Sequence, residues 1–384
     1  MELNIGPSHP AMHGTLQLMV KLDGETIAEC VPEIGYLHRC FEKTVEEKTW
    51  TKVTPYTDRL NYLSPLLNNV GYALAVEKLL GIRVPKRCEY LRVIVGEMSR
   101  IMDHLVCIGT NAVDIGALTN FWYFYEYREY MYDLIERLTG HRLTNNYTRI
   151  GGVSNDVDED WVAGCRKLMD RIPEGIAKVD KLLTRNRIFM DRMVGVGALD
   201  AERAIEWGFT GPCLRASGVD YDVRKDYPYS SYDDFDFEVP IAKDGDNYSR
   251  YLVRMEEMRQ SIRIVQQALD KLPDGPVCVD DPRIFLPPKS EVYGSIEGLM
   301  NHFKLIMEGI DCPAGEVYSY TEAGNGELGF YIVSKGGGRP YRIKIRPPCF
   351  AIYSAFHLVS EGQMIADAMA TIGQLNVVAG ELDR

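Results

Sequence analysis

The sequence predicts an α+β protein that is mainly helical. Residues 16–30 alternate between apolar and polar side chains on either side of a turn, as in a β-hairpin. From residue 44 to about 272, apolar residues instead recur at spacings of three and four, as in packed helices. Apolar and polar side chains alternate again near the C-terminus. We therefore expect an N-terminal α/β region over 1–43, a bundle of long helices over 44–272 and a C-terminal α/β region over 273–384.

The N-terminal hairpin places Leu16, Leu18 and Val20 on one face and turns at Asp23-Gly24. The segment GPSHPAMHG, residues 6–14, is predicted to be the loop that leads into it. This loop therefore holds its two histidines beside a strand.

Three long helices are predicted in the central region. The first begins soon after Pro85, and the second has Thr119 as its N-cap and Gly140 as its C-cap. The third spans residues 248–272 and ends before Pro273. Its spacing fits a bundle helix better than a coiled-coil tail, which is the alternative.

The C-terminal region begins with a surface connection over 274–292, rich in Pro, Asp and Lys, followed by a helix over Ser295–Gly309. Two strands, Leu328–Val333 and Tyr341–Ile345, are then joined by the glycine-rich loop Ser334–Pro340. That loop lacks the GxxxxGK[ST] pattern of a phosphate cradle and is predicted to be a hairpin connection.

Composition excludes several classes of function. The formal charge of −12 argues against a nucleic-acid-binding protein, which normally presents a basic face. No apolar run reaches the ~18 residues of a membrane span, and the N-terminus does not look like a signal peptide. The nine cysteines include no CxxC pair, so we expect reduced thiols of a cytoplasmic protein and no metal bound by this chain.

His9 and His13 have the spacing of a zinc-binding helix face. Pro10 and Gly14 disfavour a helix, and no further ligand lies in the loop, so that interpretation fails. The histidines remain candidates for proton donors, because imidazole titrates near neutral pH. A purely structural role is the alternative.

Tyr62 and Asp114 are weaker candidates when considered alone. Tyr62 is one of 23 tyrosines, and a single tyrosine is usually a packed ring. Asp114 lies in an apolar stretch, where a carboxylate normally has a partner, and Arg128 is one candidate for a salt bridge with it. The charged segment Tyr221–Lys225 suggests a docking surface or, more simply, a solvated turn.

Several segments, taken in order, resemble the family of the catalytic D subunit of bacterial NADH:quinone oxidoreductase, which includes the 49-kDa subunit of mitochondrial complex I. They cover the chain from residue 4 to 384. The segments are GPSHPAMHG, GYLHRCFEK, PYTDRLNYL, YALAVEKLLGI, DIGALT, YTRIGGV, LRASGVDYDVRK, YLVRMEEMRQSIRI, GELGFYIVS and GELDR.

That family is similar to the large subunit of nickel-iron hydrogenases. The similarity implies an N-terminal α/β region, a bundle of long helices and a C-terminal segment that folds back onto the first region. In the hydrogenases two CxxC pairs bind the metals, whereas this chain has no cysteine between Cys40 and Cys88 and none in its tail NVVAGELDR. The resemblance therefore implies a quinone pocket where the metal site has been lost.

The resemblance also implies roles for individual residues. His13 and Tyr62 match the pair that bonds the two quinone oxygens, where each can stabilise the developing oxyanion and then deliver a proton. Asp114 matches the carboxylate beside that histidine, where it favours the protonated imidazole. These three are the expected catalytic residues, and Thr110 and Val378 are expected to complete the quinone-binding site.

Arg39 and Thr144 match positions near a 4Fe-4S cluster that an adjacent subunit holds. Many relatives have a histidine at the position of Thr144, and a threonine cannot titrate in its place. The cluster potential is therefore expected to vary little with pH. A second departure is Cys40, where relatives usually have glycine, and nothing in the sequence explains its effect.

The resemblance implies a subunit of a proton-translocating complex. Its expected substrate is a quinone, either ubiquinone or menaquinone. Its expected partners are an iron-sulfur-cluster subunit, other peripheral-arm subunits and a membrane-arm subunit at the quinone entrance. The expected location is the cytoplasmic face of the inner membrane, reached through those partners. A hydrogenase-like enzyme and a non-catalytic scaffold are the alternative functions.

Overall fold

The computed structural model of the chain describes residues 1–384. It contains eight strands in three small sheets. The strands are β1 (Glu2–Ile5), β2 (Gln17–Asp23), β3 (Thr26–Glu33), β4 (Thr148–Arg149), β5 (Gly152–Val153), β6 (Cys312–Ala323), β7 (Gly326–Gly337) and β8 (Arg342–Arg346).

Helices make up most of the regular structure, so the α+β, mainly helical fold class is confirmed. The helices are α1 (Phe41–Thr44), α2 (Trp50–Thr57), α3 (Pro65–Leu80), α4 (Lys86–Asp114), α5 (Leu118–Thr139), α6 (Glu159–Leu183), α7 (Arg187–Met193), α8 (Ala201–Glu206), α9 (Gly211–Ala216), α10 (Val223–Asp226), α11 (Asn247–Asp270), α12 (Lys289–Gly294), α13 (Ile296–Met307), α14 (Pro348–Ser354), α15 (Phe356–Ser360), α16 (Ile365–Leu375) and α17 (Ala379–Asp383).

The N-terminal sheet is antiparallel, in the order β1-β2-β3. The predicted hairpin is confirmed, with Asp23 paired to Thr26 across the turn. The sequence did not reveal β1, whose four residues are too few to show a pattern. The loop of residues 6–14 therefore connects two strands of the same sheet.

The central bundle consists of α4, α5, α6 and α11, which share the largest hydrophobic core. The predicted helices after Pro85 and over 248–272 are confirmed, and α11 is a bundle helix because α4 and α6 pack against it. Thr119 is not an N-cap. The chain turns at Gly116, which has a φ of 90°, and α5 begins at Leu118.

The C-terminal sheet has the antiparallel order β6-β7-β8. The predicted pairing of the last two strands is confirmed, with Ile343 opposite Ile332. The sequence did not reveal β6, because Pro313 and Gly315 interrupt its apolar pattern. The helix α13 is confirmed, and the Ser295 hydroxyl accepts the Gly298 N–H at its start.

The C-terminal helices pack against the N-terminal sheet and share a second core with it. The Asp383 carboxylate accepts the N–H groups of Gly35 and Leu37 at 3.0 and 2.6 Å. The Tyr353 hydroxyl donates to the Gln17 carbonyl at 2.8 Å. These contacts bring the tail of the chain to the loop that carries His13. None of the helices is long and apolar enough to cross a lipid bilayer.

Candidate functional site

The loop of residues 6–14 is held between its own sheet and the tail of the chain. A Cβ built on Gly6 would lie 1.9 Å from the Leu16 carbonyl oxygen, so only glycine fits there. A Cβ built on Gly14 would lie 3.2 Å from the Cβ of Ala379. The His9 Nδ1 accepts the Ala11 N–H at 3.2 Å, so His9 shapes the loop itself.

The His13 imidazole contacts the carboxylate of Asp114, the last residue of α4. The Nε2 of His13 lies 2.8 Å from the Oδ2 of Asp114, and their side chains are 23% and 13% exposed. Arg128, one candidate partner for Asp114, instead packs over the rings of Tyr125 and Tyr132. Because Nε2 contacts the carboxylate, Nδ1 is the nitrogen of His13 that could bond to another group.

Tyr62 lies on the other side of the same loop. A Cβ built on Gly14 would be 4.0 Å from the Tyr62 hydroxyl, which brings this phenol to the residue that follows His13. Burial raises the pKa of Tyr62 above its usual value, the nearby Cys349 thiol adds to the increase, and Arg39 opposes it. The phenol therefore holds its proton at neutral pH and is able to donate it.

Thr110 and Val378 lie on two different helical segments near His13 and Tyr62. Thr110 is half-buried in α4, one turn before Asp114, and its hydroxyl donates to the Val106 carbonyl at 2.8 Å. Val378 is buried immediately before α17, and its N–H points to the Cys349 sulfur at 3.5 Å. The end of α4 and the start of α17 thus flank the loop of residues 6–14.

Arg39 is close to Tyr62, whereas Thr144 belongs to a different loop. The Arg39 guanidinium donates to the Arg59 carbonyl at 2.7 Å. Thr144 follows α5 with a φ of 55°, and two residues later the Asn146 N–H donates to Asp58 at 3.4 Å. Asp58 is fully buried, and burial raises the pKa of its carboxyl to about 6.

A buried network of hydrogen bonds lies beneath the candidate site, and no local sequence pattern pointed to it. The Asp103 carboxylate accepts hydrogen bonds from Asn61 at 2.8 Å, Ser64 at 2.7 Å and Asn376 at 2.7 Å. Asn61 directly precedes Tyr62. The network therefore supports the segment that positions the phenol.

Deeper in the bundle lies a cluster of buried charges. Arg224 donates to Asp222 at 2.7 Å, and His104 lies 3.1 Å from Glu257. The segment Tyr221–Lys225 is therefore neither a docking surface nor a solvated turn, because Asp222 and Arg224 are each only 1% exposed. We define the buried charge cluster as Glu97, Arg100, His104, Arg215, Asp222, Arg224, Glu257 and Glu322.

Three carboxylates of this cluster, Asp222, Glu257 and Glu322, approach within 4.8 Å of one another, a separation that would suit a metal ion. Arg215 contacts all three, at 3.5, 3.1 and 2.9 Å. A guanidinium already supplies the positive charge, so this arrangement is an ion-pair network.

Comparison with known families gives one match that covers most of the chain. Residues 114–384 match the family model described as the respiratory-chain NADH dehydrogenase 49-kDa subunit. The matched range includes Asp114, the partner of His13, and the whole tail.

Individual relatives match over the full length of the chain. It is 54% identical to the D subunit of the NADH-quinone oxidoreductase of Myxococcus xanthus, covering 100% of this chain and 92% of that protein. The C/D subunit of the Bdellovibrio bacteriovorus enzyme is also 54% identical, with 100% and 69% covered. The D subunit of the Geobacter sulfurreducens enzyme is 49% identical, with 100% and 98% covered.

Proposed function

Because this chain belongs to the family of the respiratory-chain NADH dehydrogenase 49-kDa subunit, we propose that it reduces quinone between His13 and Tyr62. It is a subunit of an NADH:quinone oxidoreductase. The observation that carries the proposal is the His13–Asp114 contact beside Tyr62, whose pKa is raised by burial.

The chemistry requires two electrons and two protons for each quinone. As one carbonyl oxygen gains electron density, the Nδ1–H of a protonated His13 donates to it and then transfers its proton. The Tyr62 hydroxyl does the same at the other oxygen. Asp114 stabilises the imidazolium before transfer and fixes the ring orientation through its 2.8 Å contact with Nε2.

The electrons come from outside this chain in the proposed mechanism. A 4Fe-4S cluster of an adjacent subunit supplies them, and Arg39 and Thr144 lie toward that subunit. The C subunit of the complex is a further proposed neighbour, because the name of the Bdellovibrio relative joins C and D. A membrane-arm subunit forms the quinone entrance, and quinone reduction is coupled to proton translocation elsewhere in the complex.

The location and the fold relationship follow from the same proposal. The chain is held at the cytoplasmic face of the inner membrane by its partner subunits. Its arrangement of an N-terminal sheet, a long-helix bundle and a returning tail supports a fold like that of the nickel-iron hydrogenase large subunit. The pocket takes the place of the hydrogenase metal site.

Variants of the two proton donors test the proposal in the assembled complex. His13→Ala and Tyr62→Phe should each lower the turnover of a short-chain quinone by about 100-fold, the usual contribution of a positioned proton donor. NADH oxidation by a water-soluble acceptor that bypasses the quinone should stay unchanged, which controls for assembly.

Two results would favour the alternatives. Wild-type quinone turnover in both variants would indicate a non-catalytic scaffold. Stoichiometric nickel in the purified chain would indicate a hydrogenase-like enzyme.

A further inference from the structure

Asp103 is a completely buried residue of α4 whose carboxylate binds two neighbours of Tyr62. Its Oδ2 accepts the side-chain N–H of Asn61 at 2.8 Å and the hydroxyl of Ser64 at 2.7 Å. Asn61 directly precedes Tyr62, and Ser64 follows it by two residues. One carboxylate oxygen therefore holds the Tyr62 segment before and after the phenol.

The other oxygen of Asp103 holds the tail of the chain. Its Oδ1 accepts the side-chain N–H of Asn376 at 2.7 Å. Asn376 directly follows α16 with a φ of 55°, and the chain then continues into α17. A Cβ built on Gly380, in α17, would lie 3.2 Å from the Cδ1 of Tyr62. The same carboxylate thus ties the Tyr62 segment to the part of the tail that packs against the Tyr62 ring.

The donors that surround Asp103 are three neutral groups and not a basic side chain. Asn61, Ser64 and Asn376 are themselves buried. An ionised carboxylate is costly to bury unless hydrogen bonds compensate its charge, and such charge-assisted bonds are stronger than those between neutral groups. Moving the Tyr62 segment away from Asp103 would therefore cost free energy, so the segment is held in one place.

Helix α4 also carries Asp114, whose carboxylate lies 2.8 Å from His13. Asp103 and Asp114 are 11 residues apart, which corresponds to about three helical turns. The two carboxylates therefore lie on the same face of α4, roughly 16 Å apart along its axis. One helix thus contacts His13 directly and the Tyr62 segment through Asn61 and Ser64.

We propose that Asp103 is the positioning residue of Tyr62, and that α4 thereby sets the place of the phenol relative to His13. This inference rests on the proposed function of Tyr62. Asp103 does not touch the substrate. It holds Asn61 and Ser64 so that the phenol between them meets a quinone oxygen at the distance and angle that proton donation requires.

Asp103→Asn tests the positioning role in the assembled complex, because asparagine keeps the shape but has only one acceptor oxygen. In one orientation its amide N–H groups face those of Asn61, and in the other they face those of Asn376. The Asn376 amide is itself held, since it also donates to the Asn325 Oδ1 at 2.7 Å. We expect kcat for a short-chain quinone to fall about 10-fold or more, because a small displacement of a positioned group slows the reaction strongly.

A double-mutant cycle separates positioning from a general loss of structure. In the Tyr62→Phe background the phenol proton is already gone, so adding Asp103→Asn should lower kcat further by less than about twofold, as for residues that act as a unit. A purely structural role predicts the same fold-loss with and without the phenol. Equal losses in the two backgrounds would overturn the proposal.

Asp246→Asn is the matched control. Asp246 is a buried aspartate at the start of α11 that accepts the N–H groups of Ser249 and Gly195, each at 2.7 Å. Neither contact involves the Tyr62 segment, so this variant should keep the wild-type kcat. A fall in kcat as large as that of Asp103→Asn would show that any broken buried hydrogen bond slows the enzyme, which contradicts a specific role of Asp103.

The remaining outcomes distinguish this inference from the proposed function. If Asp103→Asn keeps the wild-type kcat while Tyr62→Phe is impaired, the positioning role is wrong and the proposed function stands. If Tyr62→Phe is also unimpaired, both are wrong. Ser64→Ala replaces Asp103→Asn if the latter does not assemble, since it removes one hydrogen bond and leaves the carboxylate. A fall in its kcat that disappears in the Tyr62→Phe background supports the role, and a wild-type kcat overturns it.

Discussion

At the scale of single residues, the His13–Asp114 contact leaves one ring nitrogen of His13 for the quinone site that we propose. Nε2 lies 2.8 Å from the carboxylate, so in the proposed mechanism a quinone oxygen bonds to Nδ1. In that mechanism the Tyr62 phenol, whose pKa is raised by burial, donates to the other oxygen. The proposed site therefore combines two donors of different chemistry, an imidazole and a phenol.

Thr144 leads to a prediction about the iron-sulfur cluster that we propose for an adjacent subunit. Because threonine does not titrate, the midpoint potential of that cluster should change little between pH 6 and 8. Redox titration of the complex at several pH values measures this. A slope near ~60 mV per pH unit, the value for one proton per electron, would contradict the prediction. The buried Asp58, with its raised pKa, would then be the next residue to change.

The sequence identified His13, Tyr62 and Asp114 through family resemblance, because local patterns left each of them open to a structural role. The buried charge cluster stayed hidden for a physical reason. Charged residues at helical spacing are usually solvated, and only the folded chain brings Arg224 to Glu97 and Glu257. Such pairs between distant segments leave no local signal.

At the scale of secondary structure, long helices were predictable and irregular strands were not. The apolar periodicity of α4 and α11 extends over many turns, so a single position that departs from the pattern does not change the prediction of a helix. The strand β6 is interrupted by a proline and a glycine, and only its pairing with β7 reveals it. The predicted start of α5 was wrong because the turn at Gly116 determines where this helix begins.

The contact between α16 and α4 yields a prediction at this scale. A Cβ on Gly373 would lie 2.3 Å from the Asn111 side-chain nitrogen, which donates to the Ala370 carbonyl at 2.9 Å. Gly373→Ala should therefore lower the free energy of unfolding by about 1–3 kcal/mol through overpacking, as measured by urea denaturation. Gly294→Ala, where a Cβ meets nothing within 4 Å, is the control. Equal stability of the two variants would contradict the packing argument.

At the scale of the whole molecule, three hydrophobic cores meet around a charged centre. The bundle, the terminal regions and the C-terminal sheet each have their own core. The buried charge cluster joins α4, α9, α10, α11 and β6. Residues far apart in sequence are thereby held together, which positions the end of α4 relative to the rest of the chain.

Removing one charge from this cluster should affect the whole fold. Arg224→Met removes the cation that contacts Asp222, Glu97 and Glu257 together, and leaves these carboxylates only the guanidinium contacts with Arg215 and Arg100. We expect a loss of about 3–5 kcal/mol in the free energy of unfolding, as for other broken buried ion pairs. Urea denaturation measures it.

Arg259→Met is the matched control for that experiment. Arg259 pairs with Glu256 and Asp180 at the surface, where an ion pair contributes only about 0–1 kcal/mol. A similar loss in both variants would show that the buried charge cluster is not a special source of stability.

The most direct test of the proposed quinone site is a structure of the assembled complex with a short-chain quinone bound. We predict that one quinone oxygen lies within hydrogen-bonding distance of the Nδ1 of His13 and the other within that distance of the Tyr62 hydroxyl. A headgroup bound elsewhere, with His13 and Tyr62 both out of reach in a complex that still turns over quinone, would contradict the proposal.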